Sequence, residues 1–209
     1  MEKVNNITCK VVLVGDSGVG KTCIIQRYVN NNYNENTEST VASTYTYKIV
    51  DYKEFNKSIS FDIWDTAGQE LYRALAKNFY LNASIGILVY DIRRKESFES
   101  IRDYWYEQLK CSGEENMVFG VAGNKCDLFQ EEEVKEEEAK KFAESIGAIF
   151  HLTSCKESIG IDDLFEECGK KYLELNKLAT KVENEKGGSI VLNNDNNKNN
   201  TSAKKNKCC

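Results

Sequence analysis

Gly15-Asp16-Ser17-Gly18-Val19-Gly20-Lys21-Thr22 decides how the rest of the chain is read. It satisfies the pattern G-x-x-x-x-G-K-[ST] at every fixed position. Val11-Val12-Leu13-Val14 precedes it, a continuous apolar run rich in β-branched residues, as in a buried parallel strand. Cys23-Ile24-Ile25-Gln26-Arg27-Tyr28-Val29 follows and reads as a helix with one apolar face. Strand, glycine loop and helix are the context in which the pattern cradles phosphate. The glycines let the backbone come close to a ligand. Successive N–H groups then converge on phosphate oxygens, and the helix N-terminus adds partial positive charge. Lys21 reaches the outer phosphates as a point charge, and the Thr22 hydroxyl is a Mg²⁺ ligand by type. Gly15 through Cys23 is taken as the phosphate-binding stretch.

Outward from this loop, strands and helices alternate. Strand one is expected from about Ile7 to Val14. The first helix ends in Asn30-Asn31-Asn32, and Tyr33 to Ser43 reads as a loop. Thr44–Tyr52 and Ser58–Asp65 read as an antiparallel pair joined by a turn at Glu54–Lys57. In the second of these, Ile59, Phe61 and Ile63 share one face, and Ser60, Asp62 and Trp64 the other. A short helix is expected up to about Tyr80, buried strands at Ile85–Tyr90 and Met117–Ala122, and an amphipathic helix at Ser97–Lys110. Glu131–Ile146 reads as a charged helix, Ala148–Thr153 as the last strand and Ile161–Lys177 as the closing helix. The alternation implies an α/β fold with a mostly parallel sheet and its ligand at the carboxyl ends of the strands. His151, the one histidine, is expected to be a packed strand residue.

Three further constellations sit where strands end. Asp65-Thr66-Ala67-Gly68-Gln69 leaves a strand toward the phosphates. There Asp65 suits Mg²⁺, reached through a bridging water. The Gly68 N–H suits a γ-phosphate oxygen, and Gln69 suits an attacking water. Asn124-Lys125-Cys126-Asp127 follows a buried strand. A purine with a 6-oxo and a 2-amino group needs a carboxylate to accept from N1–H and N2–H, and Asp127 supplies one. Asn124 can tie the base loop to the phosphate loop, and the Lys125 stem can cover the ring. Ser154-Cys155-Lys156 offers backbone N–H groups to the base oxygen and a second lysine stem.

Composition narrows the class. Of 209 residues, 41% are hydrophobic, enough for one core, and the net charge of -5 argues against a general nucleic-acid binder. No signal peptide and no apolar run of about 18 residues is expected. The eight cysteines have neither C-x-x-C spacing nor a disulfide-like pattern, and six are read as reduced thiols. Proline is absent, so turns rest on Gly, Asn and Asp. Beyond about Lys181 the asparagine-rich sequence lacks the apolar surface to offset ordering, and 181–209 is expected to be a disordered tail. It ends in Cys208-Cys209 after three lysines, a pattern suited to double prenylation and attraction to anionic lipid.

These motifs resemble the Ras superfamily of small GTPases, and specifically the Rab family. The resemblance covers about Ile7 to Lys177 and the double-cysteine end. Phe61 through Glu70, Leu88-Val89-Tyr90-Asp91-Ile92 with Glu96-Ser97-Phe98, and Phe79-Tyr80 carry it. It implies a three-layer P-loop GTPase domain over 1–180, with a mostly parallel six-stranded sheet, one antiparallel edge strand and helices on both faces. It implies GTP hydrolysis with Mg²⁺, slow alone and stimulated by an activating protein. It implies a monomer that switches between GDP and GTP forms in vesicle trafficking. Effectors, an exchange factor, a GTPase-activating protein and a GDP-dissociation inhibitor are the implied partners, on the cytosolic face of an intracellular membrane. Glu38-Ser39-Thr40 resembles the early-endocytic branch, hence an endosomal expectation. The resemblance also assigns Thr40 to the Mg²⁺ shell, Tyr33 to the edge of the base, and Tyr45, Trp64 and Phe79 to an effector patch. Ala42, Leu71, Leu81, Cys155 and Arg93-Arg94-Lys95 depart from the family pattern. Ala42 and Leu71 motivate one alternative, a nucleotide-locked scaffold. An ATP-using kinase is another, against which Asp127 argues. No arginine is evidently placed as an internal finger.

Overall fold

The computed structural model describes residues 5–35, 40, 44–65, 80–114 and 116–186. Thr66 to Phe79, with Gly68, Gln69 and the expected short helix, lie outside the described residues, as do Ala42, Leu71 and 187–209 with Cys208-Cys209.

Strand β1 (Asn5–Val14) runs through the middle of a six-stranded sheet. It is flanked by β3 (Lys57–Asp65) and β4 (Ile85–Asp91), both parallel to it. β5 (Val118–Asn124) and β6 (Ile149–Thr153) extend the sheet in parallel on one side. β2 (Thr44–Tyr52) closes the other edge, antiparallel to β3, so the order is β2-β3-β1-β4-β5-β6. The expected α/β sandwich is therefore present, with its single antiparallel strand at an edge.

Period-two alternation sends neighbouring side chains of β1 to opposite faces. Val11 and Leu13 join Ile59, Phe61, Ile63, Ile87 and Val89 in one core. That face is covered by α1 (Lys21–Asn30) and the closing helix, whose Tyr28 and Phe165 rings stack at 3.8 Å. Val12 and Val14 join Leu88, Tyr90 and Val121 in a second core under the helices of the other face. Ile59, Phe61 and Ile63 are fully buried, as their shared parity requires. Trp64, on the opposite parity, is only half-buried and packs on Tyr45, with ring centroids 5.3 Å apart.

The helix expected at Ser97–Lys110 is α2 (Lys95–Ser100), a π-helical turn (Ile101–Trp105) and α3 (Tyr106–Ser112) in succession. The charged helix is shorter than expected, α4 (Glu136–Ser145) rather than Glu131–Ile146. The backbone explains this. Glu133 and Val134 N–H groups donate to the Ile92 carbonyl at 2.9 and 3.1 Å, which draws 132–135 out of helical form. Cys126–Glu131 coils as a 3₁₀ turn instead. The closing helix α5 (Ile161–Lys186) outruns the expected end at Lys177 and passes Lys181, where apolar periodicity fades. Residues 181–186, expected in the tail, are thus helical. Asn31, Asn56 and Asn82 take left-handed φ of 49°, 50° and 57°. Asparagine tolerates that region, which serves a chain without proline. His151 sits in β6, half-buried, with Nε2 3.2 Å from Glu167 Oε1.

Candidate nucleotide site

The carboxyl ends of the parallel strands carry every polar group of interest. β1 ends in the glycine loop, β3 in Asp65, β4 in Asp91, β5 in Asn124 and β6 runs into Ser154. Chains leaving β1 and β4 depart to opposite sides of the sheet, and a crevice opens at that switch point. It holds a cavity of about 390 Å³. Its walls include Ser17, Gly18, Gly20, Lys21, Thr22, Cys23, Tyr33 and Thr40 from one side, and Asn124, Lys125, Asp127, Cys155 and Lys156 from the other. Of the expected site residues that are described, these are brought together. Gly15, Asp16, Val19 and Ser154 stand behind them.

The loop between β1 and α1 needs glycine at its ends. Gly15 has φ of 144°, and a side chain there would run into the Val89 carbonyl. Gly20 has φ of 101°, and a side chain there would strike Asn124 Nδ2. The carbonyls of this loop are claimed in sequence by side-chain donors. Lys21 Nζ donates to Gly15 O at 2.7 Å and Asp16 O at 2.9 Å. Arg94 Nη2 donates to Ser17 O at 3.0 Å, Lys125 Nζ to Gly18 O at 2.8 Å, and Asn124 Nδ2 to Val19 O at 2.7 Å. No carbonyl from Gly15 to Val19 is left to repel an anion in the cavity. Burial pulls the Lys21 ammonium down to about 8, Asp65 and Asp16 push it back up, and Arg94 lowers it further.

A cluster of oxygens faces the start of α1. Thr22 Oγ1 donates to Asp65 Oδ2 at 2.6 Å and lies 2.6 Å from Thr40 Oγ1. Asp65 is buried, and its Oδ1 has no hydrogen-bond partner among the described residues. Burial raises the Asp65 carboxyl, while Thr22, Lys21 and Thr40 hold it down. Two hydroxyls and a carboxylate with an unmatched buried oxygen are the hard-oxygen donors that Mg²⁺ prefers. The residues fit that ion.

The opposite wall is organised by Asn124. Its Oδ1 accepts from Thr153 Oγ1 at 3.1 Å and from Cys155 Sγ at 3.6 Å, while its Nδ2 holds Val19. Burial pushes the Cys155 thiol up to about 12, so it stays protonated and able to donate. Asp127 Oδ1 accepts from Ser154 Oγ at 2.6 Å. Lys125 adopts a left-handed φ of 66°, a region that costs a non-glycine residue about 1 kcal/mol or more. Its Nζ is paired with buried Asp91 Oδ2 at 2.7 Å as well as with the loop carbonyl. Burial alone would raise the Asp91 carboxyl, but hydrogen bonds from Arg93 and Lys125 outweigh it and hold it below the usual range.

Four supporting residues lie outside the nucleotide motifs, although one of them, Asp91, sits in the Leu88–Ile92 stretch that carries the Rab resemblance. Arg27 Nε donates to Cys155 O at 2.7 Å, fixing the last loop to α1. Trp105 Nε1 donates to Asp16 Oδ1 at 3.0 Å. Asp91 and Arg94 act as described. The basic run Arg93-Arg94-Lys95 was the visible signal for the last of these. The expected effector patch is described only for Tyr45, which is 52% exposed, and Trp64, over whose ring Lys10 Nζ lies at 5.3 Å. Tyr47 and Ile49 continue that exposed face along β2. Phe79, Gly68, Gln69, Cys208 and Cys209 lie outside the described residues. No helix among the described residues is long and apolar enough to cross a membrane.

Comparison with known proteins agrees with this geometry. The family model described as "Ras family" matches residues 10–174. The chain is 43% identical over 162 residues to Ras-related protein Rab-22A of Homo sapiens, spanning 78% of this chain and 82% of that protein. It is 40% identical over 185 residues to Ras-related protein Rab-31 of Mus musculus, spanning 88% and 91%. It is 40% identical over 167 residues to Ras-related protein Rab5 of Nicotiana tabacum, spanning 80% and 82%.

Proposed function

This chain belongs to the Ras family and within it to the Rab GTPases, the small GTPases of vesicle trafficking, and from that premise we propose how its residues bind and turn over GTP. The convergence of the glycine loop, the Thr22–Thr40–Asp65 oxygens and Asp127 on one cavity is the observation that carries the reading. A cavity of this size suits a nucleotide-sized ligand.

Gly15 to Cys23 bind the phosphates, with Lys21 keeping its two loop carbonyls and turning its third N–H to the outer phosphate oxygens. Asp127 accepts from the guanine N1–H and 2-amino group, which adenine does not offer as a pair. Lys125 and Lys156 stems cover the ring, Tyr33 closes its edge, and the Ser154–Lys156 backbone donates to its 6-oxo group. Thr22, Thr40 and Asp65 would hold Mg²⁺, which neutralises phosphate charge when bound. Gln69 orients the attacking water, and the Gly68 N–H meets the γ-phosphate. Since Thr40 and Gly68 contact only the γ-phosphate side, its loss on hydrolysis removes their partner and relaxes the loops around them.

The protein does little covalent chemistry in such a reaction, so turnover alone is slow and an activating protein accelerates it. Tyr45, Trp64 and Phe79 form the effector patch. Exchange factor, dissociation inhibitor and effectors complete the cycle of a monomer held on endosomal membranes by prenylated Cys208 and Cys209, beyond a GTPase domain over 1–180. The test uses the purified full chain with Mg²⁺. GDP and GTP, but not ADP and ATP, should raise its thermal midpoint, and a single loaded GTP should be hydrolysed with phosphate release. Stabilisation by ADP and not GDP would overturn the reading. Stable GTP with no phosphate release over hours would favour the locked scaffold.

A further inference from the structure

The outer lip of the phosphate loop is gripped from the side of α2 and α3. Trp105 holds the Asp16 side chain, and Arg94 holds the next residue's carbonyl, at 3.0 Å each. Arg94 comes from far along the chain, yet its backbone is well fixed. Its N–H donates to Asp91 O at 3.0 Å, and its carbonyl accepts from Ser97 N at 3.0 Å and Ser97 Oγ at 2.7 Å.

The three basic residues here are used differently. Arg93 is committed to Asp91 and Glu131, at 3.1 Å each, and Lys95 lies 3.8 Å from Glu138. Among the described residues no carboxylate pairs with Arg94. Its guanidinium therefore brings to the loop a positive charge that no described carboxylate contacts. A trans peptide directs its C=O and N–H to opposite sides. Holding Ser17 O at Arg94 thus turns the Gly18 N–H away from Arg94, toward the cavity that Ser17 and Gly18 line.

Resting on the guanine-nucleotide reading above, we propose that Arg94 is a positioning residue for the bound nucleotide: it orients the Ser17–Gly18 peptide toward the phosphates and favours GTP over GDP by its charge. The added γ-phosphate carries the additional negative charge, so the electrostatic part of the effect falls more on GTP. The peptide-orienting part falls on both nucleotides. An amide already aimed at the phosphates needs no reorganisation as charge shifts in the transition state.

Dissociation of fluorescent GDP and of a fluorescent non-hydrolysable GTP analogue is compared for wild type, Arg94→Ala and Arg94→Lys. Single-turnover hydrolysis is measured without an activator. Arg94→Ala should release both nucleotides about 2–10-fold faster, the range expected for one hydrogen bond. The GTP analogue should be affected more than GDP, and hydrolysis should slow by a similar factor. Arg94→Lys, which keeps the charge and a donor, should restore the ratio of GTP to GDP retention. Rates for Arg94→Ala within twofold of wild type would overturn the proposal. So would equal acceleration for both nucleotides with no rescue by lysine, which is what a merely structural residue would give. Wild type that binds no guanine nucleotide would instead defeat the reading on which the proposal rests.

Discussion

Asp127→Asn should exchange the protein's base preference from guanine to xanthine. Asp127 faces the cavity with Asn124, Lys125 and Cys155 around it, and one of its oxygens accepts from Ser154 Oγ at 2.6 Å. Guanine presents two adjacent donors, and a carboxylate meets both with acceptors. Asparagine keeps one acceptor and sets an NH₂ against the 2-amino group. A hydrogen bond to a charged group is worth about 1.5–3 kcal/mol, and an unmatched buried donor costs about 1–3 kcal/mol more. Together these amount to about 2.5–6 kcal/mol, or roughly 10²- to 10⁴-fold weaker GDP binding. Xanthine carries an oxygen where guanine has its amino group, so it accepts from the new NH₂ and recovers most of the loss. The Ser154 hydroxyl rotates to suit either partner, so the fold should not suffer. Competition of GDP and XDP against a fluorescent nucleotide measures the exchange, with the thermal midpoint as the control for folding. GDP affinity within about tenfold of wild type, or no preference for XDP, would refute the placement of the base against Asp127.

Thr22→Asn should make nucleotide release fast and nearly indifferent to EDTA, because it removes the hydroxyl that lies 2.6 Å from both Asp65 and Thr40; stopped-flow release with and without EDTA checks this. Gln69→Leu should slow intrinsic single-turnover hydrolysis at least tenfold while leaving GDP affinity near wild type, the range in which a water-positioning group contributes. Gly169→Ala should destabilise the protein despite the roughly 1 kcal/mol of helix propensity that alanine adds. Its methyl would collide with Tyr52 Oη and lie 2.8 Å from Phe61 Cζ. Overpacking of that kind costs about 1–3 kcal/mol, so the thermal midpoint should fall by a few degrees. Removal of Cys208-Cys209 should release the full chain from membranes in a fractionation of expressing cells, since single weak attractions do not hold a protein there.

The fold was legible because its strands are unusually explicit. Val11–Val14, Ile59/Phe61/Ile63 and Ile85–Tyr90 announce buried strands by run or by parity, and each is fully buried in the sheet. What misled was local sequence overruled by a remote backbone bond. Glu131 to Lys135 has the composition of a helix start, but the Ile92 carbonyl holds the amides of Glu133 and Val134. Periodicity was equally silent about the π turn at Ile101–Trp105, since apolar residues spaced three and four apart suit an α-helix just as well. Past Lys177, α5 continues to Lys186, and its last four residues, Glu183 to Lys186, are wholly polar with no apolar residue to mark them.

The site divides along the same line, between short-range pattern and long-range reach. Lys21, Asn124, Lys125 and Asp127 belong to motifs whose spacing is set by a single turn of backbone, so a sequence displays them. Their supports do not. Arg27 and Trp105 reach the site from helical turns and Arg94 from the extended residue just before α2, and only the folded chain reveals which carbonyl or carboxylate each one meets. The carbonyls of Gly15 to Val19 make the point in physical terms. Lys21, Lys125 and Asn124 claim four of the five, and all three are motif residues. The remaining one, on Ser17, is claimed by Arg94. A phosphate cradle needs all its carbonyls turned from the anion, since one pointing inward would cancel an amide pointing the same way. The motif therefore specifies a cradle that is complete except at Ser17. There the surrounding chain has latitude, and a residue outside every motif can set how tightly the nucleotide is held.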